Sequence, residues 1–154
     1  MSGKIDARLA ELGIELPETR APAANYVPFV RDGSTLYVSG QVPVGPDGLI
    51  TGKLGDGYSV EQGAAAARVC GLYLLAQVKA ACGGDLDQLD QVLKLTGFVN
   101  STLDFGEQPM VINGASDLMV EVLGDAGRHS RSAVSAASLP FGVAVEIEGI
   151  FRLK

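Results

Sequence analysis

Residues 92–99 read VLKLTGFV and are mostly apolar on both parities of a strand repeat. Successive residues of a strand face opposite ways, so such a run needs cover on both sides. Helices can supply one cover, and something further must supply the other.

The helices are legible. Ser59 and Gln62 form a capping box ahead of AAAARVCGLYLLAQVKAAC, a stretch rich in helix formers that stops at Gly83-Gly84. A second helix is expected from near Pro109, which suits a first turn, to Gly124, which suits a stop. Near the start, Ile5, Leu9 and Leu12 recur at helical spacing, and Pro17, Pro22 and the alanines between form a linker.

The strands fall between and around them. NYVPFVRDGSTLYVSGQVPV reads as two runs flanking an Asp32-Gly33 turn, and Gly45-Pro46-Asp47-Gly48 makes a second turn. His129–Phe151 reads as two more strands forming a hairpin around Leu139-Pro140. The order β-β-α-β-α-β-β predicts an α+β fold, a mixed sheet with two helices on one face. With 154 residues, 47% of them hydrophobic, one cored domain is expected, residues 24–154, behind an extension over 1–23 with a short helix. The second sheet face holds small and apolar residues in SAVSAAS, TGFV and VEIEGIF, so subunits associating through their sheets are its simplest cover.

Charge and composition narrow the function. The net charge is −6 with scattered Lys and Arg, and the pI is about 4.7, which argues against nucleic acid as a partner and against a ribonuclease. No apolar run of about 18 residues exists to span a membrane. The N-terminal stretch lacks a continuous apolar core of signal-peptide type. Cys70 and Cys82 lie twelve residues apart in one expected helix, roughly 18 Å, beyond disulfide reach. Buried thiols in the cytoplasm are the plain reading. Two Cys and one His leave no zinc spacing, neither GxGxxG nor GxxxxGK[ST] occurs, and no metal or cofactor is expected. The single histidine, His129, reads as a surface loop residue.

Arg131, Glu146 and Glu148 break the apolar character of the last two strands. Glu146 and Glu148 share a face, opposite Val145, Ile147 and Gly149, and Arg131 shares one with Ala133 and Ser135. Two readings stay open: an ion pair across the hairpin, or an arginine among small residues that receives a carboxylate from outside.

YVSGQVPV (37–44), RSAVSAASLP (131–140) and VEIEGI (145–150), in this order, resemble the RidA/YjgF family of small imine and enamine deaminases. The likeness covers roughly residues 24–154. It implies a chorismate-mutase-like homotrimer with sites in clefts between subunits. The implied reaction is hydrolysis of 2-imino or 2-enamino acids to 2-oxo acids and ammonia, of the 2-iminobutanoate/2-iminopropanoate deaminase type. By resemblance, Arg131 holds the substrate carboxylate and Glu146 handles the attacking water. Tyr26, Ser39, Gly40, Asn113 and Ala133 fall at cleft positions. Ala133 stands where many members have a cysteine, and Phe141-Gly142 where charged residues are common. A trimer that binds small carboxylates without turnover, as a sensor, is the competing reading.

Overall fold

The computed structural model describes residues 3–19, 21, 22 and 24–154. Helix α1 (Lys4–Glu11) leads to strands β1 (Phe29–Asp32) and β2 (Thr35–Gln41), then to a small hairpin of β3 (Val44–Gly45) and β4 (Gly48–Leu49). Helix α2 (Val60–Ala81), strand β5 (Leu89–Asn100), helix α3 (Gln108–Leu123), and strands β6 (Ser130–Ala136) and β7 (Val145–Leu153) follow. The main sheet has the order β1-β2-β7-β5-β6, with β5 parallel to β6 and antiparallel to β7. The mixed α+β sheet expected from the sequence is present.

Three expectations change in detail. The last two strands are not a hairpin: β5 lies between them and hydrogen-bonds both. Because β6 runs parallel to β5, it is reached through α3, and the chain then passes the end of β5 to add β7 on its other side. The first tight turn is centred on Gly33-Ser34, one residue later than expected, since Asp32 pairs with Thr35. Thirdly, the helical layer has a third member. Helix α1 donates its first free amides, Lys4 N and Ile5 N, to the Asp87 carboxylate at 2.8 and 3.0 Å. Arg8 Nε donates to the Glu121 carbonyl of α3, and Lys79 of α2 pairs with Asp6, while Leu9 is buried in the core.

The capping box forms as read: Gln62 N donates to Ser59 Oγ and Ser59 N to Gln62 Oε1. Strand β7 alternates, burying Val145, Ile147, Gly149, Phe151 and Leu153 against the helices. Register shifts in β5 between Leu89 and Lys94 account for part of its two-sided apolar pattern. Phe98, on the opposite side from the helices, accounts for the rest. That side has no covering element among the described residues, and Val30, Tyr37 and Val134 stand 54%, 47% and 44% exposed on it. No helix among them is long and apolar enough to cross a membrane.

The layer closes because α2 and α3 meet backbone to backbone. A Cβ on Gly114 would sit 1.9 Å from the Ala64 carbonyl oxygen. Gly114→Ala is therefore expected to force the helices apart and destabilise the fold by about 1–3 kcal/mol. Circular-dichroism melting should record a fall of a few to roughly 10 °C. An unchanged melting point would mean the helices are not in this contact.

Candidate active site

Arg131 lies on β6, an edge strand, opposite the buried Leu95, so its side chain faces the helical layer. Its Nη1 donates to Asn113 Oδ1 at 2.8 Å and to Ser116 Oγ at 3.2 Å. Asn113 and Ser116 are three residues apart on α3 and so share a face. Nη1 carries two N–H groups, and these two acceptors take both. Among the described residues, neither Nε nor Nη2 has an acceptor, and no carboxylate lies within 4.0 Å of the guanidinium. The intact Nε/Nη2 edge has the spacing of a carboxylate. The ion-pair reading of Arg131 does not survive.

The network runs one residue type further. His129 Nδ1 is 2.6 Å from the Gly127 carbonyl, which only accepts, so Nδ1 carries a proton. In the neutral ring, Nε2 then accepts from the Ser116 hydroxyl at 2.9 Å. Protons thus point in one direction, from Arg131 to Ser116, to His129, to Gly127. Ser116, His129 and Arg131 line a wide-open surface cavity of about 280 Å³ with Asp117, Val120 and Arg128.

Glu146 is elsewhere. It pairs with Phe98 of β5 while its neighbour Ile147 is fully buried on the helix side, so Glu146 faces the uncovered side of the sheet. Glu148 is on the same side. Burial first, and the Glu148 charge second, push the Glu146 carboxyl above its ordinary range. A bulge in β2 between Val38 and Gln41 brings Gly40 under this carboxylate, where a Cβ would stand 3.1 Å from the Glu146 Cδ. Ser39 Oγ donates to the Val27 carbonyl at 2.7 Å, fastening the segment that carries Tyr26, itself 52% exposed.

The site residues expected from sequence therefore form two groups. Arg131, Asn113 and the half-buried Ala133 stand together on the helix side, and Glu146, Gly40 and Ser39 on the other, with Tyr26 beside Ser39. Two strand spacings, roughly 10 Å, and the thickness of the sheet separate them within one chain. The contacts of Ser116 and His129 with the arginine's surroundings were not foreseen; His129 lies in the loop before β6, as expected, but is half-buried against Ser116. One signal was present: Ser116 follows Asn113 by three residues on a helix. Cys70 is buried and its thiol is pushed far up, by burial first and by Glu146 second. Cys82, half-buried at the end of α2, is free, and burial also raises its thiol.

The mixed sheet under a helical layer defines an α+β protein of the chorismate-mutase-like class. A family model described as "YjgF/chorismate_mutase-like, putative endoribonuclease" matches residues 6–147, and the chain belongs to that family. It is 50% identical over 154 residues to the protein TCP17 of Trypanosoma cruzi, covering 99% of this chain and 96% of that protein. Atu1372 from Agrobacterium tumefaciens, a solved structure of unknown function, is 49% identical with a TM-score of 0.90, covering 97% of this chain and 92% of its own. A "putative endoribonuclease" structure from Shewanella oneidensis is 38% identical with a TM-score of 0.93, over 98% and 100% of the two chains. Escherichia coli TdcF with bound serine is more distant, 28% identical with a TM-score of 0.63, over 89% and 94%.

Two stability measurements follow. Arg131→Ala removes hydrogen bonds to two half-buried neutral acceptors that water can satisfy, so it should cost less than about 2 kcal/mol. A buried ion pair would cost about 3–5 kcal/mol, and a loss of that size in urea unfolding would restore that reading. Glu146 binds its proton more tightly folded than unfolded. Its stabilising contribution is thus full below the ordinary carboxylate range and is lost as pH rises through its raised folded value. Glu146→Gln should stabilise the protein at pH 7 by less than about 1 kcal/mol, since the group is partly exposed, and so raise the melting temperature slightly. The gain should vanish near pH 4. Destabilisation at pH 7 would mean that a cation from outside this chain stabilises the Glu146 carboxylate more than burial and Glu148 disfavour it.

Proposed function

We propose that this protein hydrolyses reactive 2-imino and 2-enamino acids to 2-oxo acids and ammonia, in clefts between the subunits of a homotrimer. The observation that carries the reading is the Arg131 guanidinium, held from one side by Asn113 and Ser116 with its carboxylate-matching edge unoccupied. Family membership supports it. The uncovered sheet side bearing Val30, Tyr37 and Val134 supports assembly. Arg131 and Glu146 lie on opposite sides of one sheet, so a site using both takes them from two subunits.

The chemistry asks little of the protein. A protonated imine carbon is already electrophilic, and the site must anchor the carboxylate and place one water. Arg131 does the first through two charge-assisted bonds. As the water's oxygen bonds to the imine carbon, its proton passes to Glu146. Glu146 then returns that proton to the nitrogen, the C–N bond breaks as the new hydroxyl becomes the 2-oxo group, and the hydroxyl proton leaves with the nitrogen as ammonium. A carboxyl whose proton affinity is raised by burial suits both halves of this exchange. A ribonuclease reading has only the family description behind it, and a chain of net charge −6 lacks the basic surface for it.

A second reading, a trimer that binds small carboxylates without turnover, is favoured by the bound serine in TdcF, an amino acid with a free carboxylate. Iminopropionate generated in situ by an amino-acid oxidase separates the two. Faster appearance of pyruvate supports catalysis, whereas pyruvate binding with no acceleration supports the sensor. Under the catalytic reading, Arg131→Ala should lower kcat/KM roughly thirty- to a thousandfold, about 2–4 kcal/mol, and Arg131→Lys should not restore it. Light scattering should give three times the 16.0 kDa chain mass. A stable monomer at micromolar concentration contradicts the shared cleft.

A further inference from the structure

A site made of Arg131 and Glu146 holds one carboxylate and one water, and leaves the substrate's own side chain without a partner. We propose that Lys53 is the specificity-determining residue of that site, binding a second carboxylate at the far end of the substrate and so favouring 2-imino dicarboxylates over monocarboxylates of the same length. The inference rests on the imine-hydrolysis reading and adds to it the class of side chain that the cleft selects.

Lys53 sits on a segment laid across the end of β5 and the start of β7, where Thr51 bridges to Val143 and Leu54 to Ser101. Leu54 is fully buried with its side chain against Gly63 of α2, so its neighbour Lys53 turns away from the helices. Lys53 Nζ donates to Asn100 Oδ1 and to the Ala137 carbonyl, both at 2.7 Å. Asn100 is itself fixed, buried and donating from Nδ2 to the Val143 carbonyl at 3.1 Å. An ammonium carries three N–H groups, and the two acceptors it has found are neutral. Among the described residues the third N–H has no acceptor, and no carboxylate lies within 4.0 Å of Lys53. The half-buried side chain thus presents a positioned charge that nothing neutralises.

Strand register sets this charge beside Glu146. Phe98 pairs with Glu146, and Asn100 N donates to the Ala144 carbonyl, so Asn100 and Glu146 are diagonal neighbours on the uncovered side, roughly 7–8 Å apart. Lys53 Nζ rests on that Asn100 side chain. In the other direction along β7, the next residue on this side is Glu148, opposite Thr96. A substrate whose reacting carbon lies at Glu146 therefore meets an anion toward Glu148 and a cation toward Lys53. Lys94 is exposed and lies diagonal to Glu148, whose charge offsets it, and Arg152 is paired with Asp90 at 2.6 Å. Two methylenes and a carboxylate reach roughly 5 Å beyond the imine carbon, and a charge-assisted bond of roughly 2.8 Å completes the diagonal spacing. A 2-iminoglutarate anchored by the partner subunit's arginine and lying toward Asn100 thus ends at the ammonium of Lys53.

The test uses the full chain and two 2-oxo acids of equal carbon number, 2-oxoglutarate and 2-oxopentanoate, which differ in the second carboxylate. By calorimetry the wild type is expected to bind 2-oxoglutarate roughly ten- to a hundredfold more tightly, the usual range for a hydrogen bond to a charged group. Lys53→Arg should keep that preference and Lys53→Met should abolish it. The ratio of kcat/KM for 2-iminoglutarate over 2-iminopentanoate, each generated in situ by an amino-acid oxidase, should fall by the same factor in Lys53→Met. Equal or weaker binding of 2-oxoglutarate by the wild type would overturn the proposal with no variant needed, so a poorly folding Lys53→Met does not protect it. A preference that survives Lys53→Met would overturn it by assigning the second carboxylate to another cation. Parallel losses for both ligands, with lowered melting, would reduce Lys53 to a strap between Asn100 and the end of β6. A wild type that turns over neither imine would fail the deaminase reading itself, while the binding comparison would still decide the role of Lys53.

Discussion

The hydrogen bonding of β5 governs where charge can meet charge in this protein. The strand pairs with β6 in parallel along one edge and with β7 antiparallel along the other, from Lys94 to Val99 in unbroken register. Leu95 stands across from Arg131, and Phe98 across from Glu146. Side chains directly opposite one another share a face, and residues 95 and 98 have opposite parity. Arg131 must therefore turn toward the helices and Glu146 away from them. A one-residue slip of β7 would turn Glu146 toward the helices but would also expose Ile147 and Phe151, whose burial stabilises the fold by about 2 kcal/mol or more each.

From that constraint the anchor acquires its form. On the helix side Arg131 finds the polar face of α3 rather than an acid, and Asn113 and Ser116 fix the guanidinium plane without neutralising it. An unneutralised arginine in a small cavity retains its attraction for an external anion, and the prepared orientation lowers the entropy lost on binding. Helix α3 can approach β6 closely because Gly114 lets it lie against α2 at Ala64. Packing in the helical layer thus reaches the chemistry through one turn of one helix.

Much of the architecture was legible in the sequence, for physical reasons that also mark where legibility ends. The capping box at Ser59, the stop at Gly124 and the alternation of β7 are local signals, and each appears at its place. The hairpin expected for β6 and β7 failed because sequential strands usually pair, whereas here β5 inserts between them, a long-range choice with no local mark. Asn113 and Arg131 were named by resemblance and do meet. The contacts of Ser116 and His129 were not legible because a serine on a helix and a histidine before a strand find their partners only through the tertiary fold, and the tautomer depends on a backbone carbonyl at Gly127.

The central claim is that Arg131 is an anion anchor whose Nε/Nη2 edge is reserved for a carboxylate. A crystal structure of the protein with pyruvate or 2-oxobutanoate tests it most directly. The account predicts both carboxylate oxygens on Nε and Nη2 of Arg131, with Asn113 and Ser116 still accepting from Nη1. A carboxylate bound elsewhere, with the arginine edge left to solvent, would contradict it.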